Sequence, residues 1–285
     1  MFGRRSDSKR VKGLDGITRL MPLFVPSRAD SVNKIMIDIE AAPLDAYIEK
    51  KKAEGINYTY MDITIAVLVR LFKKYPKLNQ FIMAHQFWQR NVIELSMIIK
   101  KSFRPDAEET SLDTIFTGYE TLEEVKKLVD ADIDAALNTQ NGTDNKRDGL
   151  AHLPLALLRL VVWLLKFADY HGILPESFLR SGSPFHASFF VANLKSIGLQ
   201  AIIHHLFDFG NCGFFLTMGK ECYLPKVNPA TGNIESTKII QMGISLDDRT
   251  VDGLYLSHVL KTGRRLLADP SVLERPLRDD EIYNR

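Results

Sequence analysis

The stretch that most limits the fold lies near the C-terminal end. An apolar run, Ile239-Ile240-Gln241-Met242-Gly243-Ile244, leads into Ser245-Leu246-Asp247-Asp248-Arg249-Thr250-Val251-Asp252-Gly253, and the residues after it, Leu254 to Leu260, have the apolar spacing of a helix. The order is strand, charged turn, helix. Four charged side chains within the six positions from Asp247 to Asp252 are costly to pack at a strand end unless they pair with one another or serve a site. A solvated turn with an aspartate at a helix N-terminus is the alternative.

The rest of the chain supports a large, well-packed protein around that stretch. With 285 residues, 45% of them apolar and 25% charged, the composition is that of a soluble globular protein. A net charge of +2 over this length, without a basic stripe interleaved with aromatics, speaks against nucleic acid as a partner. Cys212 and Cys222 read as free intracellular thiols, and the N-terminus lacks the apolar core of a secretory signal, so a cytoplasmic location is expected. The basic residues Arg4, Arg5, Lys9, Arg10 and Lys12 read as a flexible arm over 1–15, followed by one domain over 16–272 and a charged, mobile tail over 273–285.

Local patterns assign most elements. Leu20 to Pro26 is apolar but twice interrupted by proline, which predicts an extended or edge segment. Lys34 to Glu40 alternates with period two and predicts a half-buried strand. Pro43 opens a helix that runs to about Glu54, where Gly55 closes it; a second helix spans Asp62 to Tyr75, its Ile65, Leu68, Val69 and Phe72 sharing one face. The runs Phe81 to Phe87 and Val92 to Ile99 predict a hairpin turning at Gln89-Arg90-Asn91. Thr121-Leu122-Glu123-Glu124 has capping-box spacing and starts a third helix, and Asn138 to Gly149 is a polar surface loop. Leu155 to Ala168 is the most apolar segment, yet it has only fourteen residues and includes Arg159 and Lys166. A bilayer span needs roughly 20 residues, so a buried helix, or one facing a subunit partner, is expected instead. Ser188 to Asn193 and Gly213 to Gly219 read as strands, Lys226 to Glu235 as a long hairpin loop, and Gly253 to Ala268 as the final helix.

Taken in order, these residues resemble the catalytic domain of the dihydrolipoyl acyltransferases of 2-oxo acid dehydrogenase complexes, which share the chloramphenicol acetyltransferase fold. The resemblance rests on Ser245 to Gly253, which is close to a Ser-x-x-Asp-His-Arg-x-x-Asp-Gly signature, and on Phe190-Val191-Ala192-Asn193-Leu194 and Leu216-Thr217-Met218-Gly219. Pro76-Lys77-Leu78-Asn79 and Leu266-Leu267-Ala268-Asp269-Pro270 add to it, so that it covers about 20 to 270. It implies an α/β fold, a two-layer sandwich of a large mixed β-sheet and packed helices. It further implies a homotrimer with active sites between subunits, and acyl transfer between coenzyme A and a small-molecule or lipoyl-type acceptor. No lipoyl domain or swinging linker is recognisable, so an acyl carrier would come from elsewhere.

Transferred position by position, the resemblance places Asp248 where the family has its catalytic histidine, beside Arg249, with Asp252 and Gly253 shaping the loop. Ala192 falls where a serine or threonine would hydrogen-bond the oxyanion, and Asn193 follows it in the coenzyme A site. An ordinary aspartate, of pKa about 3.9, is mismatched as a base to a thiol of about 8.5. Packing beside Asp247 and Asp252 would strengthen it, and Arg249 would oppose that. Ser188, on the same strand face as Ala192, is the candidate replacement hydroxyl, although roughly 13 Å away along the strand. An acyltransferase with altered chemistry and a catalytically silent scaffold of the same fold are therefore both open. His204-His205-Leu206-Phe207-Asp208-Phe209-Gly210 and His258 are read as structural, and His85, His152, His171 and His186 lack ligand spacing, so no metal is expected.

Overall fold

A computed structural model describes residues 5–100, 109–138, 153–181 and 183–283. The polar loop expected between 138 and 149 falls, after its first residue, outside the described residues. The architecture is a six-stranded mixed sheet with helices on one face, joined by a smaller three-stranded sheet.

The large sheet runs in the order β2 (Val32–Glu40), β9 (Ile234–Asp247), β8 (Phe214–Val227), β7 (Phe189–Asn193), β5 (Ile93–Lys100) and β6 (Glu109–Phe116). Its outer pairs are antiparallel, and β7 lies parallel to both of its neighbours. Helices α2 (Ala42–Ala53), α3 (Tyr60–Lys74), α4 (Leu122–Asn138) and α7 (Gly253–Ala268) build one continuous apolar core against it. α3 is buried on every side from Tyr60 to Phe72, so its apolar residues form a central helix and not a single stripe. Its start is fixed by a capping box in which Thr59 and Asp62 exchange hydrogen bonds, and that of α4 by the Thr121–Glu124 exchange that the sequence announces.

Several expectations are corrected. The segment Leu20 to Pro26 is not extended: α1 (Gly16–Phe24) is helical, with Asp15 capping it through Thr18 and Pro22 inside. A surface helix tolerates the lost bond when the freed carbonyl faces water. The expected hairpin turns elsewhere. β3 (Gln80–Met83) pairs with β4 (Gln86–Arg90) around Ala84-His85, both at positive φ (52° and 56°), and β1 (Ser8–Arg10) adds to the other side of β4. Two-residue hairpins need this left-handed geometry, and neither residue is of the type that signals it. β5 then belongs to the large sheet, paired antiparallel with β6.

Both ends are more firmly built than expected. Arg5, Asp7 and Ser8 are buried. Arg5 forms a two-pronged pair with Asp7 (3.0 and 2.8 Å) and reaches Asp169 at 2.7 Å. Leu273 and Leu277 are buried, and Tyr283 packs on Tyr75 and Tyr255 and donates its amide to the Lys74 carbonyl, so the C-terminal segment is docked, not loose. The apolar segment after 154 forms α5 (Leu155–His171), followed by α6 (Glu176–Ser181), and α5 is largely exposed, contrary to the expectation of burial within the chain.

Candidate active site

The signature stretch lies where β9 ends. Hairpin pairing continues through Ser245 and Leu246, and Asp247 stands opposite Val32 on β2. Val251 is buried and plugs the turn, and Asp252 caps α7 by accepting from the Tyr255 amide at 2.9 Å. A Cβ on Gly253 would meet open space, so the aspartate, not the glycine, defines this helix start.

Asp247 holds the loop together. It is 1% exposed and accepts from Arg249 Nε and Nη2 at 2.8 and 2.7 Å, from the Arg249 amide at 3.2 Å and from Ser31 Oγ at 3.2 Å. A second guanidinium, Arg28, places its Nε 3.8 Å from Oδ2 of the carboxylate. The remaining nitrogens of both arginines donate to backbone carbonyls: Arg249 to Val25 and Pro26, both at 3.0 Å, and Arg28 to Phe207 and Gly210 at 2.6 and 2.9 Å. Gly210 adopts φ 77°, and a Cβ there would lie 2.2 Å from the Phe185 carbonyl, so glycine is required at this clamp. Burial pulls the Arg28 pKa down, and Asp247 opposes that shift. Beside this corner lies a cleft of about 290 Å³ lined by Arg28, Arg249, His85, Tyr170 and Asp208 among others.

Asp248 differs from its neighbour in every respect. It is exposed, its amide donates to the Ser31 carbonyl at 2.9 Å, and its carboxylate accepts a short hydrogen bond from Asn33. It is therefore not packed beside Asp247 and Asp252, as the sequence reading allowed. Asp252 also lies exposed, 3.9 Å from Lys77 Nζ.

The other sequence candidates lie apart from it. Ser188 is buried, and its hydroxyl accepts from the Glu94 amide at 2.9 Å and lies 3.5 Å from the Val92 carbonyl, so it joins β5 to β7 and presents no free donor. Ala192, half-buried, pairs with Thr217, which pairs with Gly243. Gly243 precedes Asp248 by five residues, roughly 16 Å along the strand. Asn193 caps the turn after β7 by accepting from the Ser196 amide at 3.3 Å. Within one chain, then, Asp248 and Arg249 lie together, while Ser188, Ala192 and Asn193 do not join them.

An irregular segment covers the sheet face that carries Ala192, Thr217 and Gly243. Thr217 and Ser245 donate hydroxyl hydrogens to the carbonyls of Ile202 and His204, and a Cβ on Gly243 would lie 2.1 Å from the Ile202 oxygen. The His204 ring stacks on Phe215 at 4.1 Å, Phe215 stacks on Phe190 at 5.3 Å, and His204 Nδ1 lies 2.9 Å from the His205 carbonyl. His258 is on α7 against Tyr283, on the other side of the sheet. Arg28, Ser31, Asn33 and Thr217 escaped the sequence reading. Pairing of β2 with β9 brings the first three to the loop from more than 200 positions away, and no local pattern signals that. Among the described residues, no cluster of histidine, cysteine or carboxylate side chains is arranged to hold a metal ion.

No family model matches the sequence, and no curated protein does. Solved structures do. A probable dihydrolipoamide acetyltransferase from Listeria monocytogenes superposes with a TM-score of 0.52 at 14% identity, covering 91% of this chain and 94% of that one. The dihydrolipoamide acetyltransferase of Azotobacter vinelandii, solved to examine a serine, a histidine and an asparagine in its catalytic mechanism, gives 0.53 at 16% identity over 92% and 93%. A chloramphenicol acetyltransferase gives 0.54 at 11% identity over 91% and 99%. The chain thus has the fold of the dihydrolipoamide acetyltransferase catalytic cores and of chloramphenicol acetyltransferase.

Proposed function

We propose that this protein transfers acyl groups from coenzyme A thioesters to a small-molecule or lipoyl-type acceptor, with Asp248 standing where the fold's relatives carry a catalytic histidine. The observation that carries this reading is the signature loop itself. Asp247, Arg249 and Arg28 lock it from below and leave Asp248 exposed at the end of the central hairpin. An exposed carboxylate oriented by Asn33 is accessible to an acceptor's proton, but a carboxylate is a weak base for a thiol, so turnover is slow relative to a histidine enzyme. The separation of Asp248 from Ala192 and Asn193 within one chain supports a site completed by a second subunit in a homotrimer. One of the superposing structures is described as the cubic core of the pyruvate dehydrogenase multienzyme complex, a higher assembly.

The second reading is a catalytically silent trimer, favoured by Ala192, which offers no hydroxyl, and by Ser188, whose hydroxyl is already engaged. Release of free thiol from acetyl- and longer acyl-coenzyme A with dihydrolipoamide as acceptor separates the two. Turnover lost in Asp248→Ala supports the enzyme, and calorimetric binding of coenzyme A without turnover supports the scaffold. Light scattering after size exclusion tests the trimer.

A further inference from the structure

The helix α5, expected to be buried or to face a subunit partner, is apolar and largely exposed. On α5, Leu155, Leu160 and Trp163 are 62%, 51% and 58% exposed. Of its apolar residues, only the stripe of Leu158, Val161, Leu165 and Ala168 is half-buried. The helix is fastened at its C-terminal end, where Asp169 is buried between Arg5 (2.7 Å) and His186 (3.2 Å). α1 repeats the pattern, with Ile17 and Phe24 77% and 75% exposed. The two helices meet at the Ala84-His85 turn: a ring nitrogen of His85 lies 3.0 Å from the Pro22 carbonyl, and its ring is set edge-on to Tyr170 at 6.5 Å.

Charge distinguishes this surface from an ordinary apolar patch. The exposed part of α5 carries Arg159 and Lys166 and no carboxylate, because Asp169, its one acidic residue, is buried against Arg5. Next to α1 lies a cleft of about 390 Å³ lined by Arg10, Lys12, Arg19 and His85 and by no acidic residue. The carboxylate at the start of α1, Asp15, is engaged as its cap. Two copies of the chain meeting with α5 turned on α5 would set Arg159 and Lys166 against the same cations of the other copy. An anionic lipid surface suits both features: apolar side chains with Trp and Phe enter the acyl boundary, and Lys and Arg stay among the headgroup phosphates. Among the described residues no helix is long and apolar enough to cross a membrane, so the helix would lie on the surface and not span it.

We propose that α1 and α5 seat this protein on membranes rich in anionic phospholipid. The inference is independent of the acyltransferase reading. The test is co-sedimentation of the full chain with phosphatidylcholine vesicles, with and without phosphatidylglycerol, together with tryptophan fluorescence. Trp88 is buried, so a blue shift reports on Trp163. The expected result is binding and a blue shift with the anionic vesicles only. Lys12→Gln and Arg19→Gln should each weaken binding about fivefold, and Leu160→Glu/Leu164→Glu should abolish it. These positions are exposed, so the variants should melt like the parent protein. Equal binding to both vesicle types, no binding to either, or a blue shift that grows with protein concentration in the absence of lipid would each overturn the proposal. The last outcome would assign the face to a second copy of the chain.

Discussion

On one face of the large sheet, Phe189, Val191, Phe214, Leu216, Ile244 and Leu246 join the core built by α2, α3, α4 and α7. On the other, the same strands present Phe190, Ala192, Phe215, Thr217, Ser245 and Asp247, and an irregular segment accepts the hydroxyl hydrogens of Thr217 and Ser245 on its carbonyls. The first face is held by non-directional burial and the second by directed hydrogen bonds and ion pairs. Thr217, Ser245 and Asp247 remain buried on the second face because each has a hydrogen-bond partner there. The polar layer continues past the sheet, where Arg90 donates to the His186 and Asn211 carbonyls and Arg5 and Arg90 flank the Phe81 ring.

The largest effects should come from breaking each face at its centre. Phe72, 1% exposed, packs against Phe189 at 4.8 Å and Phe214 at 5.4 Å. Phe72→Ala should cost about 3–5 kcal/mol in urea unfolding. Asp247→Ala should cost a similar amount, about 3–5 kcal/mol, by leaving two buried guanidinium groups against no carboxylate. The two faces then separate in the second step. Adding Arg249→Met to Asp247→Ala should recover part of the loss, because it removes one of the stranded charges. If it makes the loss larger, the loop is held by packing and the contrast between the faces fails.

Acid should act on the polar layer through Asp7. Burial pushes Asp7 up, but Arg5, with Arg90 and Ser8, outweighs it and holds Asp7 at about 2. An unfolded aspartate titrates near 3.9. The depressed value therefore contributes about 2 kcal/mol that is complete above pH ~4 and lost as pH falls through about 2. Unfolding free energies of the parent should drop through this window more steeply than those of Asp7→Asn, and equal slopes would refute the assignment. A smaller loss, about 1 kcal/mol, is expected for Thr217→Val, which keeps shape and burial but leaves the Ile202 carbonyl without its donor.

The same contrast governs how much was legible in the sequence. Elements packed on the helix face announce themselves: β2 by alternation, α2 by Pro43 and Gly55, and α4 by its capping box. Burial on one side imposes periodicity, and helix ends need local caps. The polar layer follows no period. Arg5 and Arg28 look like surface residues in the sequence, and only contacts across 160 positions or more reveal Asp169 and Asp247 as their partners. The Ala84-His85 turn gave no glycine or asparagine signal, and the exposure of α5 is invisible in a pattern that reads equally well as core. Of the candidate site, the loop and its Asp252 cap were readable because they are contiguous. The partners that hold the loop were not.

The smallest expected change in stability is also the sharpest test of the comparison. Asp248→Asn leaves an exposed amide whose oxygen still accepts from Asn33, and the backbone bond to Ser31 is untouched. Stability should change by less than about 0.5 kcal/mol. Asp247, one residue earlier, should behave oppositely, since its carboxylate is structural. If Asp248→Asn unfolds the protein, the residue belongs to the polar layer and the division drawn between the two adjacent aspartates is wrong. If the fold is kept and thiol release from acyl-coenzyme A falls, the role of Asp248 is chemical, because a group that contributes nothing to the fold has no structural route by which to change the rate.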